Sequence, residues 1–448
     1  MDGGHQEPPL PCVILPKRLV STGNSRAERG DDPCTRRGTA LDEHWSIPAM
    51  LKSSPLLFLF KGCLTAALFI SAAAVAAADG PPPAAFGQPL VGLSASELAA
   101  FNAGLAQFET VETPATGLGP LYNGVSCVEC HSTPTSGGAS KFSVTRFGRM
   151  EGNQFDPLAS LDGSLLHSHA TVPALQEVVP AEANVTAKRI TTPSYGDGLI
   201  DAVPDWEIIA NFFLSKPDHV AGVVSLVTEP GSSQIRVGRF GWKAQHASLL
   251  AFAADALNNE MGITNRLYPT PHAPDGNTSL LAQYISLTAP PEDVVDPNTG
   301  KSALDRVTDF MRFLAPPPPA PPTSASLRGK RLFSSVGCVA CHTPYYFTGP
   351  SSSPALNFKA LALYSDLLLH DMGTLGDGIG QAPATPSEMR TAPLWGARTR
   401  TAYLHDGRAG TLDTAIRDHD GEAAISRDRY TALSLGDQQD LVAFLETL

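Results

Sequence analysis

Cys127-Val-Glu-Cys130-His131 and Cys338-Val-Ala-Cys341-His342 are two copies of one pentapeptide pattern: cysteines three positions apart, then a histidine. Thiols at that spacing reach the two vinyl groups of one porphyrin, and the adjacent imidazole is presented to the iron as its proximal ligand. Each pentapeptide therefore reads as the attachment signature of one covalently bound haem c. Cys127, Cys130, Cys338 and Cys341 are the attachment points, and His131 and His342 the iron ligands. The rest of the cysteine count sharpens this. Of the seven cysteines, Cys12, Cys34 and Cys63 lie upstream of a candidate cleavage site, and the other four are those of the two pentapeptides. No cysteine is left over for a disulfide or a zinc site, and the trailing histidine argues twice against a thioredoxin-like pair.

The stretch 50–78 has the order of a secretory leader: Lys52 and Lys61, an apolar run from Cys63 to Val75, then Ala76-Ala77-Ala78 before Asp79-Gly80. The run is too short for a membrane span, so no span is expected in the mature form. Residues 1–49 are polar and Arg-rich and read as a spurious extension ahead of Met50. The expected location is periplasmic or secreted. Residues 1–78 hold 8 of the 32 basic and 7 of the 44 acidic residues, leaving 24 against 37 and a formal charge of −13. That excess excludes nucleic acid as a natural partner and suits a basic electron-donor protein.

Ala315 to Pro322, APPPPAPP, is a stiff linker that is neither helix nor central strand. It separates an expected first lobe, 79–314, from a second, 323–448. Each lobe carries one pentapeptide preceded by helical character. Ser94 to Phe108 has apolar residues at 98, 101, 105 and 108 and a capping box at Ser94 and Glu97; the second stretch is Ser324 to Phe333. Another helix is expected over Ser434 to Leu448, with Leu435, Leu441, Phe444, Leu445 and Leu448 on one side. Helix, haem loop, irregular segment and closing helix make the order of a c-type cytochrome. The expected fold is mainly α with little strand, which the 39 prolines and 39 glycines fit. A faint repeat supports duplication. Pro193-Ser-Tyr195-Gly196 follows the first pentapeptide as Pro393-Leu-Trp395-Gly396 follows the second, and Trp242 precedes Leu249 by the seven residues that separate His405 from Leu412.

A filled sixth iron position transfers electrons, whereas an open one binds a small molecule. Eight histidines remain as candidates: His167, His169, His219, His246, His272, His370, His405 and His419. Most are expected to be surface or satisfied core residues. His167 and His169 are the nearest candidates for the first haem. Arg146, Arg149, Arg189 and Arg390 are candidate propionate clamps.

The segments SDLLLHDMG (365–373), MRTAPLWG (389–396) and YLHDGRAGTLDTAIRDHDGEA (403–423), with GLGPLYNGVSCVECH, GLIDAVPD, GRFGWKA and NNEMGIT in the first half, resemble the di-haem oxidoreductase family, also labelled thiol oxidoreductases. That family is distantly similar to bacterial di-haem cytochrome c peroxidases and to the di-haem enzyme that matures methylamine dehydrogenase. In the peroxidases the sixth ligand of the C-terminal haem lies fourteen residues beyond the histidine of an HDG segment, a count that leads from His405 to His419. Met372 in the HDMG segment is the rival ligand. The peroxidases also carry a tryptophan between the haems and, some twenty residues later, an acidic residue beside the reactive haem. Trp242 and Glu260 occupy the matching positions, although Gly-Trp-Lys stands where the peroxidases have Trp-Asp-Gly.

The resemblance implies an exported oxidoreductase with peroxidase-like chemistry. A small donor such as a c-type cytochrome or cupredoxin would feed haem 2, and peroxide or another small oxidant would react at haem 1 with Glu260 as general acid/base. A non-enzymatic carrier with both irons six-coordinate is the alternative, as is oxidation of a protein or sulfur substrate. Calcium, known in the peroxidase relatives, has no acidic loop here to argue for it.

Overall fold

The side chain of Ser94 accepts the N–H of Glu97 while the Glu97 carboxylate accepts that of Ser94 at 2.7 Å, so the expected capping box closes and starts helix α1, Ala95–Phe108. The computed structural model describes residues 84–284, 294–381 and 383–448; the extension 1–49 and leader 50–78 lie outside the described residues. Four more helices exceed ten residues: α2 (Leu249–Met261), α3 (Ala303–Phe313), α4 (Ser324–Ser335) and α5 (Leu435–Leu445). Two apolar positions read as inward-facing point outward instead: Leu98 is 42% exposed and Leu435 76%. Both sit in a first turn, where the helix has not yet reached its partner.

The long helices cross in two matching pairs. At Gly104 of α1, an added Cβ would come within 3.0 Å of the Arg306 carbonyl of α3; at Gly329 of α4 it would do the same to the Asp440 carbonyl of α5. One turn beyond each glycine stands a phenylalanine. Phe108 meets Phe310 with ring centroids 4.7 Å apart, and Phe333 meets Phe444 at 5.3 Å. The same two rings reach the pentapeptide histidines, Phe108–His131 at 6.0 Å and Phe333–His342 at 6.3 Å. Close backbone approach at glycine thus seats an aromatic ring against each histidine.

The expectation of a mainly α chain with little strand is overturned. Among the described residues 33% are helical and 14% strand, and the strands form five small sheets. In the largest sheet, β1 (Ser143–Glu151) turns at Gly152-Asn153 into β2 (Gln154–Asp156) and also pairs antiparallel with β3 (Leu165–Leu166) and β4 (Val185–Ile190). The physical reason is backbone satisfaction. Residues 143–190 are too poor in helical periodicity to pair their N–H and C=O groups within an α-helix, so they pair them across strands. Gly-Asn at a two-residue tip between alternating residues was a readable hairpin signal.

Residues 80–448 form one unit. Its main core joins Phe101, Phe108 and Phe310 to Leu363, Leu367, Leu368 and Trp395, and a smaller one gathers Phe333, Tyr364, Tyr430, Leu441 and Phe444. The Pro-rich segment is tied in at both ends: the Ala315 N–H donates to Gln88, and the Ala320 N–H to Thr447. Gly196 lies against Pro316 and Gly396 against Pro317, both glycines with φ near +70° (74° and 68°). The two repeat segments also exchange backbone bonds. The Ile190 N–H donates to the His405 carbonyl at 2.8 Å, and the Arg390 N–H to the Trp242 carbonyl at 2.8 Å.

The crossings generate a stability prediction. Gly104→Ala and Gly329→Ala should each cost about 1–3 kcal/mol through overpacking, read as a lower midpoint in chemical denaturation. Gly152→Ala, at an open tip, should cost less than either.

Candidate functional site

Each pentapeptide opens into a cavity. The first, about 1160 Å³, is lined by Cys127, Cys130 and His131, by Phe142 just before β1 and Val144 and Arg146 on it, and by Asp255, Ala256 and Glu260 from α2. The second, about 1360 Å³, is lined by Cys338, Cys341 and His342 together with Met372, His405 and His419. Trp242 lines both.

The residues present fit a haem in each cavity. All four cysteines are free, and burial pushes the Cys127 and Cys338 thiols up to about 12, so they stand as neutral thiols. His131 directs Nδ1 at the Gly138 carbonyl at 3.2 Å, and His342 directs Nδ1 at the Tyr364 carbonyl at 2.8 Å. A carbonyl partner fixes the proton on Nδ1 and leaves Nε2 as the free donor to an iron. Burial holds both imidazoles down to about 4, so each is neutral near pH 7. Cations suited to propionates are present too. Arg146 lines the first cavity, and its Nε is buried without a partner. Arg390 and Arg400 line the second, both pushed down to about 10 by burial, and among the described residues neither has a carboxylate at ion-pair distance.

The two cavities differ where a sixth ligand would come from. His419 in the second is half-buried and gives its Nδ1–H to the Ala415 carbonyl at 2.7 Å, the same arrangement as in the pentapeptide histidines. Met372 lines the same cavity, so geometry leaves both candidates in reach. Matching Trp242 to His405 places Ala256 opposite His419 in the repeat. Ala256 lines the first cavity with a methyl group, which cannot ligate iron. Glu260, four residues further along α2, supplies the polar group there. Its Oε2 accepts a hydrogen bond from the Asn123 amide at 3.0 Å. Burial raises its carboxyl above the ordinary carboxylate range, opposed by Arg146, the Asn123 bond and His167.

Other sequence candidates sit elsewhere. His167 is 1% exposed, bonded through Nδ1 to Glu177 and outside the cavity lining; His169 is exposed and stacks on Tyr122 at 5.5 Å. Arg149 pairs with Glu151 at the sheet end, whereas Arg189 pairs with Asp377 at 2.7 Å in the cavity wall. The Trp242 indole N–H donates to the Ile190 carbonyl at 2.9 Å, and its ring meets His405 edge-on at 6.3 Å.

One cluster escaped sequence reasoning. Lys216 and His370 both contact the fully buried Asp366, at 2.5 and 2.9 Å, and the other nitrogen of His370 contacts Glu422 at 2.7 Å. Carboxylates at both nitrogens hold the ring as an imidazolium, 3.7 Å from the Cys341 sulfur, with its pKa raised despite burial. Burial works against the Asp366 anion, yet the His370 and Lys216 contacts hold its carboxyl down to about 2. Asp366 and His370 are four residues apart in the SDLLLHDMG segment; Lys216, 150 residues upstream, left no signal.

The family described as "Di-haem oxidoreductase, putative peroxidase" matches residues 175–448. That is more than half of the chain, and the protein belongs to this di-haem oxidoreductase family. The second pentapeptide lies inside the matched segment and the first upstream of it. Among solved structures, the chain is similar to hydrazine synthase from Kuenenia stuttgartiensis (17% identity, 83% of this chain and 97% of that one, TM-score 0.37). It is also similar to the dihaem peroxidase BthA from Burkholderia thailandensis (15% identity, 78% and 86%, TM-score 0.36) and to a MauG-like protein associated with microbial copper homeostasis (14% identity, 84% and 95%, TM-score 0.36). No curated protein sequence matches it. No helix among the described residues is long and apolar enough to cross a membrane.

The buried cluster makes a sharp test of what holds the second site. Asp366→Asn leaves two buried cations facing a neutral amide and should cost about 3–5 kcal/mol in chemical denaturation. Arg328→Ala breaks only the half-exposed pair with Asp440 and should cost about 1 kcal/mol or less.

Proposed function

We propose that the protein is an exported di-haem c-type oxidoreductase that reduces a peroxide at its first cavity with electrons received at its second. The observation that carries the reading is the asymmetry of the two cavities: His419 and Met372 in one, Ala256 and Glu260 in the other. Haem, when bound, supplies two electron-storing irons and, in the first cavity, an iron position for the oxidant. Reduction of hydrogen peroxide takes up two electrons and two protons and yields two waters. Heterolysis needs the proton moved from the oxygen that is retained to the oxygen that leaves, and a carboxyl group raised by burial can accept and return it. Glu260 has the place and the environment for that task. Arg146 beside it favours negative charge developing on the oxidant.

Trp242 supports electron passage between the cavities, since its side chain belongs to the wall of each. The four unpaired cysteines support covalent attachment, and the leader-like residues 50–78 support the export that such attachment requires. The formal charge of −13 supports a basic donor protein, such as a small c-type cytochrome or cupredoxin, steered electrostatically to the surface.

Glu260→Gln should lower peroxide turnover by about 10²–10⁴-fold while leaving the optical spectrum of both haems intact; unchanged turnover would remove Glu260 from the chemistry. His419→Ala and Met372→Ala separate the ligand candidates. The ligand's loss should convert the second haem to high spin in electron paramagnetic resonance, and the other variant should stay low spin. Two low-spin haems that ignore peroxide, cyanide and carbon monoxide even when half-reduced would make the protein an electron carrier instead. Both haems should stay with the chain after denaturation, and mass spectrometry of the unfolded protein reads this directly.

A further inference from the structure

His167 and His272 lie behind the wall of the first cavity and take no part in the chemistry described so far. Their rings are 4.8 Å apart, inclined at 46°. Each is oriented through Nδ1 by a carboxylate: Glu177 at 2.9 Å for His167, and Asp162 at 3.0 Å for His272. Each Nε2 is buried and has no hydrogen-bond partner in the protein. A buried imidazole and a half-buried one, each with one nitrogen tied and a buried Nε2 left free, are costly as packing alone, because an unpaired buried polar nitrogen forfeits its solvation.

The pair spans the distance from solvent to the reactive wall. At the outer end the Asp162 side chain is 28% exposed, while His167 at the inner end is 1% exposed. Beside His167, the N–H and hydroxyl of Ser168 both donate to Asn123 Oδ1 at 2.9 Å, and Asn123 Nδ2 donates to Glu260. Charge is felt across the same gap. A positive His167 would hold the Glu260 carboxyl down, and a positive His272 would do the same to Asp255, the second carboxylate of the cavity wall.

We propose that His167 and His272 form a proton path that carries protons from the surface at Asp162 to the Glu260 and Asp255 wall of the first cavity. The path rests on the reading of that cavity as the site where an oxidant is reduced, because each peroxide consumes two protons that must cross a buried wall. With Nδ1–H held by a carboxylate, each Nε2 is a base that accepts a proton from a water on one side. A small in-plane tilt of the ring then brings the same N–H to a second water, which takes the proton, and the carboxylate stabilises the transient imidazolium. Bridging waters at the two unpaired nitrogens complete the connection. The ring gains and loses one proton per passage, so no other reactant is needed. His167 and His272 are positioning residues in this account, since neither touches the oxidant.

The test follows the proton itself and needs no turnover. In the haem-loaded protein, at a pH where Glu260 carries its proton, the carboxyl C=O infrared band that disappears in Glu260→Gln is followed after a jump from H2O to D2O. In His167→Gln and His272→Gln the deuterium shift of that band should be slower by about tenfold or more, with the haem spectrum unchanged, and added imidazole should restore part of the rate. Asp162→Asn, at the half-exposed end, should slow it as well and serves if a histidine variant fails to fold. Wild-type exchange rates in these variants would overturn the path. So would a stoichiometric metal beyond the two irons that His167→Gln and His272→Gln both lose, since the pair would then be a metal site. If exchange depends on the pair but the wild-type protein does not reduce peroxide, the path stands and the peroxide reading falls. If peroxide is reduced and exchange ignores the pair, the reverse holds.

Discussion

Two backbone hydrogen bonds, from Ile190 to the carbonyl of His405 and from Arg390 to the carbonyl of Trp242, join the walls of the two cavities. They are reciprocal: the residue three before each Pro-aromatic-Gly segment donates to the Trp or His position of the other half. An exchange of this kind is the internal equivalent of an isologous contact, and displacing the two cavities relative to each other would break both bonds. The consequence is functional. Trp242 is held with its indole N–H on Ile190 and its carbonyl on Arg390, so the side chain that borders both cavities cannot swing out of either without breaking a bond.

The same duplicated frame then carries unequal chemistry. Helix crossings at Gly104 and Gly329, rings at Phe108 and Phe333, and carbonyls on the Nδ1 of His131 and His342 make the two proximal sides nearly alike. The distal sides diverge through single positions. Ala256 stands where the repeat has His419, and the polar groups around the first cavity, Glu260, Asp255 and Arg146, are those of proton and charge handling rather than ligation. The second cavity is instead flanked by a buried cation, His370, locked between two carboxylates. Under the proposed function, the second half would keep a closed electronic state and the first would admit and protonate a small molecule.

Much of this was legible before folding. The pentapeptides, the Ser94 capping box, the start of α4 at Ser324 and the position of Glu260 next to Met261 are local patterns, set by spacing along the chain. The strands were missed, although the Gly152-Asn153 tip was readable, because β2 to β4 are short and the sheet arises from the need of the loops around the first cavity to pair their own backbone, a demand that shows only weakly in residue type. Leu98 and Leu435 followed helical periodicity but lie in first turns beyond the reach of a partner. His167 stood close in sequence to the first pentapeptide, yet the sheet carries it behind the cavity wall to Glu177.

What the sequence by itself determined is the chemistry available: two thiol pairs with their histidines, a duplicated order of helices, and a short set of residues able to ligate iron or move protons. Local spacing along the chain encodes these, as thiols three positions apart suit the two vinyl groups of one porphyrin wherever the chain goes. Only the tertiary structure decided which of those residues meet. Lys216 finds Asp366 across 150 residues, Trp242 reaches both cavities, and His167 joins His272 rather than an iron. Such encounters depend on helix crossings and strand register, which are settled by packing and backbone pairing over the whole unit and not by any segment read alone.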